Sequence, residues 1–323
     1  MKAWGASHLI GLGLLALTAC APTPPPPEVA PPSTTRPQTR VVQPPSVVTI
    51  APKPDPASEE LRAYYRRLEN DLIARGLLRT DGGGPDTPFT DTQLARNFVR
   101  IALFDEYVTD GINLRADATP SKLRRWEQTV RMSVEFGDSV PASQRAIDRA
   151  EVATYARRLT AATGLPITMT ANDPNYYVLF MNETDRRGAE NRLREIVPGI
   201  APSSIRAITN LPRDQLCIVV AFSEPGKSEY VKSVAVIRDE HPALLRKSCI
   251  HEELAQGLGL ANDSPAARPS IFNDDEEFGL LTTHDELLLK MLYDRRLQSG
   301  MTPEQAAPIA KLIATELTAG GAS

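Results

Sequence analysis

The chain has 323 residues, with 36 basic against 40 acidic side chains and no long basic run. That balance leaves no electrostatic footprint for nucleic acid or for an anionic lipid surface as a partner. The first fifth of the chain is not globular in composition, so length allows one domain of about 240 residues, enough to bury a core.

Lys2 precedes an apolar run, residues 9–17. It is too short for a spanning helix of about 20 residues and fits the core of a signal peptide over residues 1–19. The run ends in Leu17-Thr18-Ala19-Cys20, which looks like the lipobox of bacterial lipoproteins, with Cys20 as the lipidated first residue. Ala21 follows, where inner-membrane retention favours Asp. The resemblance therefore implies an outer-membrane anchor facing the periplasm of a Gram-negative envelope. Each buried acyl methylene contributes about 0.8 kcal/mol, so a multiply acylated cysteine holds firmly to membrane lipid.

Residues 21–56 carry 13 prolines in 36 residues. Proline lacks a backbone donor and favours an extended chain, so residues 20–57 form a lipidated cysteine followed by a disordered, semi-rigid spacer. With Cys20 acylated, only Cys217 and Cys249 remain. An oxidising compartment permits them to pair; two buried free thiols are the alternative.

The domain expected over residues 58–305 opens with Ser58-Glu59-Glu60 and a helix whose Leu61, Tyr64, Tyr65, Leu68 and Leu72 share one face. A break at Gly82-Gly83-Gly84 precedes a second helix through Leu94, Phe98, Ile101 and Phe104, N-capped near Thr90 or Thr92. At residues 129–136 the period switches to two, predicting a half-buried strand with Val130, Met132, Val134 and Phe136 on one side. A helix over 146–163 follows, stopped by Gly164 and Pro166, then strands at 167–170, 177–181, 217–222 and 233–237. The order predicts an α+β domain, without an internal repeat or a Gly-rich phosphate loop.

The stretch most suggestive of chemistry is CIHEELAQGLGLANDS, residues 249–264. A zincin helix carries His-Glu-x-x-His because residues four apart lie only about 40° apart around the axis and reach one metal. Starting at His251 fails, since Ala255 stands four residues on. Starting at Glu252 restores the spacing: Glu252 and Gln256 take the metal-ligand positions, Glu253 the general-base position, Gly259 the turn and Asn262 the third ligand. In that register residues 256–264 look like the second half of a metzincin-type or matrixin-type site with its histidines replaced. Phe272, in Pro269-Ser270-Ile271-Phe272, stands where such enzymes carry the Met-turn methionine. Residues 281–287 lead into a closing helix, with Thr283 and Glu286 as its capping box. For Glu253 a carboxylate satisfied by backbone donors is the alternative to an inherited catalytic role.

Residues 58–305 as a whole resemble the domain of unknown function 2927 family of Gram-negative envelope proteins. The resemblance rests on residues 98–107, Arg125-Trp126, residues 251–254, Gln256, residues 258–260, Asn262-Asp263-Ser264 and Leu292-Tyr293-Asp294. It implies a zincin-like, metzincin-related fold and brings no activity.

A catalytic zinc wants three strong donors and an open fourth position, whereas Gln256 and Asn262 offer neutral amide oxygens, which suit calcium better. We therefore expect no cofactor and a non-catalytic binding or scaffolding module with an envelope protein or peptidoglycan as partner. A metallopeptidase-like hydrolase centred on Glu253, with zinc or calcium, is the alternative. His241 reads as a loop residue, His284 as a first-turn residue and His251 as a hydrogen-bonded neighbour of the motif helix. The acidic run Asn273-Asp274-Asp275-Glu276-Glu277 reads as a solvated loop rather than a calcium site. A final helix over 303–318 presents Ile309, Leu312 and Leu317 for docking on its own domain.

Overall fold

Residues 55–109 and 114–319 are described by a computed structural model, residues 106–109 and 114–118 by their backbone alone. The expected signal segment, Cys20 and nearly all of the spacer lie outside them. Among the described residues no helix is long and apolar enough to cross a membrane.

Helix α1 (Pro56–Ala74) starts two residues before Ser58, because the Asp55 side chain accepts from Ala57 N and Pro56 suits the first turn. Ser58 is instead buried, its hydroxyl donating to Glu240 Oε1 at 2.5 Å. Thr90 caps α2 (Asp91–Ala102) in a capping box with Gln93, and Leu94, Phe98 and Ile101 are buried. Phe104, expected on that helix, begins β1 (Phe104–Thr109), which forms an antiparallel hairpin with β2 (Leu114–Pro120). Nothing in the apolar spacing announced this hairpin.

The chain then runs through β3 (Val130–Phe136), α3 (Ala142–Thr163), β4 (Ile167–Met169) and β5 (Tyr176–Met181). Gly164 ends α3 at φ 71°, a left-handed cap. Three short helices follow, α4 (Glu183–Arg187), α5 (Glu190–Ile196) and α6 (Pro202–Thr209), in a stretch where no helix was predicted. Strands β6 (Cys217–Ser223) and β7 (Tyr230–Arg238) lead into α7 (Ala243–Gln256), then α8 (Thr283–Leu292) and α9 (Pro303–Ala319).

The larger sheet has the order β4-β3-β5-β7-β6. Strands β3, β4, β5 and β7 are parallel, and edge strand β6 runs antiparallel to β7. Every residue of β5 is buried, as expected for a central parallel strand covered on both faces. Tyr176, Val178 and Phe180 face a core shared with α2, α3, α7, α8 and α9. Tyr177, Leu179 and Met181 face a second core built with α5 and α6. The molecule is thus an α+β domain around a mixed sheet. In β3 the predicted inward set is deepest at Val130 and Met132, whereas Val134 and Phe136 are half-buried.

Helix α9 packs on α2, its own domain, with Ala306, Ala310, Ile313 and Ala314 buried and the expected Ile309 and Leu317 half-buried against the same core. Leu312 is 54% exposed. The small alanines let the two helices approach closely, which the spacing of the larger apolar residues does not reveal.

Candidate binding cleft beside the motif helix

Helix α7 is buried on nearly all sides, and aromatic side chains tie its second half and the turn that follows to the surrounding elements. Tyr155 Oη donates to His251 O at 2.7 Å, Tyr176 Oη to Glu253 O at 2.9 Å, Trp126 Nε1 to Gly257 O at 2.9 Å and Tyr293 Oη to Leu258 O at 2.9 Å. Arg125 Nη1 ties the segment ahead of β3 to the closing helix through Leu292 O at 2.7 Å. Residues 125–126 and 292–294, quoted above only for a resemblance, interlock around the end of the motif helix.

The helix ends at Gln256, and the chain turns at Gly259 with φ 127°. A Cβ there would collide with the carbonyl oxygen of Arg124, so only glycine fits. The loop then runs below the helix. Asp285 organises it: this fully buried carboxylate accepts from Ser270 Oγ at 2.6 Å, Ile271 N at 3.1 Å, Thr282 N at 2.9 Å and Thr282 Oγ1 at 2.8 Å. The capping box of α8 is accordingly Thr282 with Asp285, one residue before the predicted pair. Glu286 instead accepts from Arg158 Nε at 2.7 Å. Phe272, at the Met-turn-like position, is fully buried in the main core.

A cleft of about 560 Å³ opens between β6 and α7, lined by Glu252, Glu253, Gln256 and Asp263 together with residues 215–221 of the edge strand and its approach. Glu253 is 4% exposed. Gln256 Nε2 donates to Asp263 Oδ1 at 3.3 Å. Asn262 points elsewhere: it is buried, its amide donates to Arg100 O at 2.9 Å, and its N–H donates to Ile101 O at 3.1 Å. The structure therefore brings Glu252, Glu253 and Gln256 to one cleft, and supplies Asp263 there where the spacing argument named Asn262. Seven carboxylates line the cleft against one arginine, Arg124, which pairs with Asp105.

The disulfide forms between Cys217 and Cys249, with Cα atoms 5.9 Å apart, and fastens α7 to the first residue of β6. It holds the two walls of the cleft together.

No histidine lines the cleft. His251 Nδ1 accepts from Leu281 N at 3.0 Å and its ring stacks on Tyr155 at 4.0 Å; burial pushes it down to about 3. His241 bonds to Leu216 O at 2.8 Å and is likewise held down by burial, to about 3. Buried His284 meets the Asn97 amide at 3.1 Å. All three are packing residues. Among the described residues no group of three or more His, Cys, Asp or Glu is arranged to hold a metal ion. The donor set also does not fit a catalytic zinc, which needs strong donors converging on an open position: Gln256 is engaged with Asp263, and Asn262 serves the end of α2.

The acidic run is only partly solvated. Asp274 and Asp275 are exposed, but Glu277 pairs with Arg79 at 3.2 Å and Arg268 at 2.5 Å. Glu276, half-buried on the cleft wall, is pushed up to about 7 by burial first and by the charges of Asp274 and Asp275.

The family described as Protein of unknown function (DUF2927) matches residues 91–311. Neither the curated proteins nor the solved structures contain a match.

Proposed function

This chain belongs to the DUF2927 family, and from that premise and the cleft we propose a non-catalytic, zincin-like module that binds an extended, basic polypeptide segment. The zincin-like reading is supported by the sheet order with its antiparallel edge strand, by α7 following β7, by the Gly259 turn and by the buried loop ahead of α8. Anchoring at the outer membrane through acylated Cys20, facing the periplasm, completes the reading. It rests on the lipobox resemblance.

The single observation that carries the binding role is the pairing of an acidic cleft with a sheet edge. Among the described strands β6 pairs only with β7, so its outer side offers main-chain donors and acceptors to an incoming strand. The carboxylates along the cleft favour Lys or Arg side chains on that strand and steer its approach. The replaced ligand positions support the absence of hydrolysis.

The test is titration of the chain with fluorescent extended peptides, one Lys/Arg-rich and one Asp/Glu-rich. The reading expects saturable binding of the basic peptide alone, weakened at least fivefold by Asp214→Asn with Asp274→Asn, two exposed acids of the cleft. Equal binding of both peptides, or none, overturns it. Stoichiometric zinc that is lost on Glu252→Ala would establish the metallohydrolase instead.

A further inference from the structure

A separate pocket of about 550 Å³ lies at the carboxyl ends of β5 and β7, sharing only Pro212 with the cleft. It has the opposite charge: Arg186, Arg187, Arg213 and Arg238 line it against Glu60 and Glu183. The carboxyl ends of parallel strands are where open sheets with helices on both faces hold ligands.

One carboxylate serves three guanidinium groups. Glu183 Oε2 accepts from Arg186 Nη2 at 2.5 Å and Arg238 Nη1 at 3.0 Å, and its Oε1 accepts from Arg187 Nε at 2.7 Å. Burial pushes the Glu183 carboxyl up, but the hydrogen bonds from Arg186 and Arg187 and the charges of Arg186 and Arg238 outweigh it and hold it at about 2. Further donors of the buried pair meet neutral carbonyls: Arg186 Nη1 reaches Ile208 O at 2.6 Å, and Arg238 Nη2 reaches Leu211 O at 2.8 Å and Pro212 O at 2.7 Å. Carbonyls satisfy the donors without neutralising the charge.

Arg186 and Arg238 are each 1% exposed. Against the single Glu183 carboxylate this buried pair leaves one surplus positive charge, which is costly in such a setting unless an anion balances it; with Arg187, Arg213 and Glu60 included the pocket carries two. Arg186 Nε is moreover a buried donor with no acceptor, and burial, then the neighbouring Arg238 and Arg187, lower this guanidinium below its usual value despite its bond to Glu183. At the rim Arg187 is 70% exposed on its side chain. Arg213 is exposed and lies over the Tyr64 ring at 5.1 Å.

We propose that this pocket is an anion site for a phosphate ester, its oxygens held by Arg187 and Arg213 at the rim and its charge balancing Arg186 and Arg238 in the wall. A phosphate group fits because guanidinium forks match its oxygens and its double charge matches the surplus. The pocket is larger than a bare phosphate, so it accommodates the esterified group as well. The ester is either a soluble phosphorylated solute or a phospholipid headgroup.

The test uses the full chain carrying Cys20→Ala, which has no acyl anchor. Calorimetric titration with inorganic phosphate at constant ionic strength is expected to show one saturable site. Its affinity falls at least tenfold in Arg187→Ala/Arg213→Ala, two exposed positions, with the melting temperature of the ligand-free variant recorded so that the titration is read on folded chain. Co-sedimentation with phosphatidylglycerol vesicles separates the sources. Vesicle binding released by phosphate assigns the ester to a headgroup, and phosphate binding without vesicle binding assigns it to a soluble ester; either supports the site. No saturable phosphate binding, or an affinity unchanged in the double variant, overturns it.

Discussion

Tyr176 Oη donates to the backbone carbonyl of Glu253 at 2.9 Å, so the general-base position of the motif is held by a phenol reaching out of the central strand. The same hydroxyl occupies the space above Gly257, where a Cβ would collide with it. Tyr176→Phe removes a buried donor and should cost about 1–2 kcal/mol. Gly257→Ala should cost more in the native background than in Tyr176→Phe, because losing the hydroxyl removes the closest of the clashes and leaves only the ring carbons at 2.8 and 2.9 Å. A double-mutant cycle by urea denaturation reads that coupling. Strictly additive losses would refute the packing assigned to this pair.

The Cys217–Cys249 bond closes a loop with a sequence separation of 32, for which chain-entropy arguments give a contribution of about 3–4 kcal/mol. Cys217→Ala/Cys249→Ala should lower stability by that order and loosen the cleft, since the bond joins β6 to α7. Hydrogen exchange is expected to rise at residues 217–221 and 249–256 more than at β5. Uniform acceleration across the sheet would show that the bond stabilises globally and does not hold the cleft.

Much of this arrangement was legible beforehand, for identifiable reasons. Period-two spacing marked β3, and the glycines at Gly164 and Gly259 marked turns whose positive φ values require them. The cysteine pair was foreseeable because Cys217 and Cys249 are the two cysteines outside the expected lipobox. The three helices over 183–209 escaped because their short lengths give no sustained apolar period, and Glu183, Arg186 and Arg238 look like surface charges until folding buries them together. Asn262 was misleading in a different way. Spacing places a residue near a metal position, but only the packing of α2 shows that this amide is already committed to Arg100 O.

Glu276 carries a pH dependence of definite sign. Its folded carboxyl is raised to about 7 from an ordinary value near 4.5, by burial and then by Asp274 and Asp275. The folded chain therefore binds this proton more tightly than the unfolded chain between those values, and its contribution to stability declines as pH rises from 4.5 to 7. Glu276→Gln should raise the melting temperature at pH 8 and leave it nearly unchanged at pH 4. An equal gain at both pH values would trace the effect to something other than this proton. The Glu277 carboxyl, lowered by its bond to Arg268, acts in the opposite sense, so the single substitution rather than the whole-protein profile is the informative measurement.

Asp285 offers the most demanding test of how the loop under α7 is held. Its Oδ2 accepts from Ile271 N, Thr282 N and Thr282 Oγ1, and its Oδ1 from Ser270 Oγ. Asp285→Ala leaves Ser270 Oγ, Ile271 N and Thr282 N buried without this acceptor, while Thr282 Oγ1 keeps Pro269 O at 2.9 Å, and should cost about 3–5 kcal/mol. Asp285→Asn should cost less. Its oxygen can take the crowded Oδ2 place, and its amide can face Ser270 Oγ, a hydroxyl able to turn and accept. It still loses the charge that strengthens these bonds, and it sets a donor near His284 Nδ1, which lies 3.6 Å from Asp285 Oδ1. Because the Asn97 amide donates toward His284 Nε2, the proton sits on Nδ1 and the new donor faces it. Denaturation should thus rank the chains native, Asn, Ala in decreasing stability, and amide hydrogen exchange at Ile271 and Thr282, whose N–H groups Asp285 holds, should speed up in the same order. If Asn proves as damaging as Ala, the charge rather than the count of acceptors holds the loop.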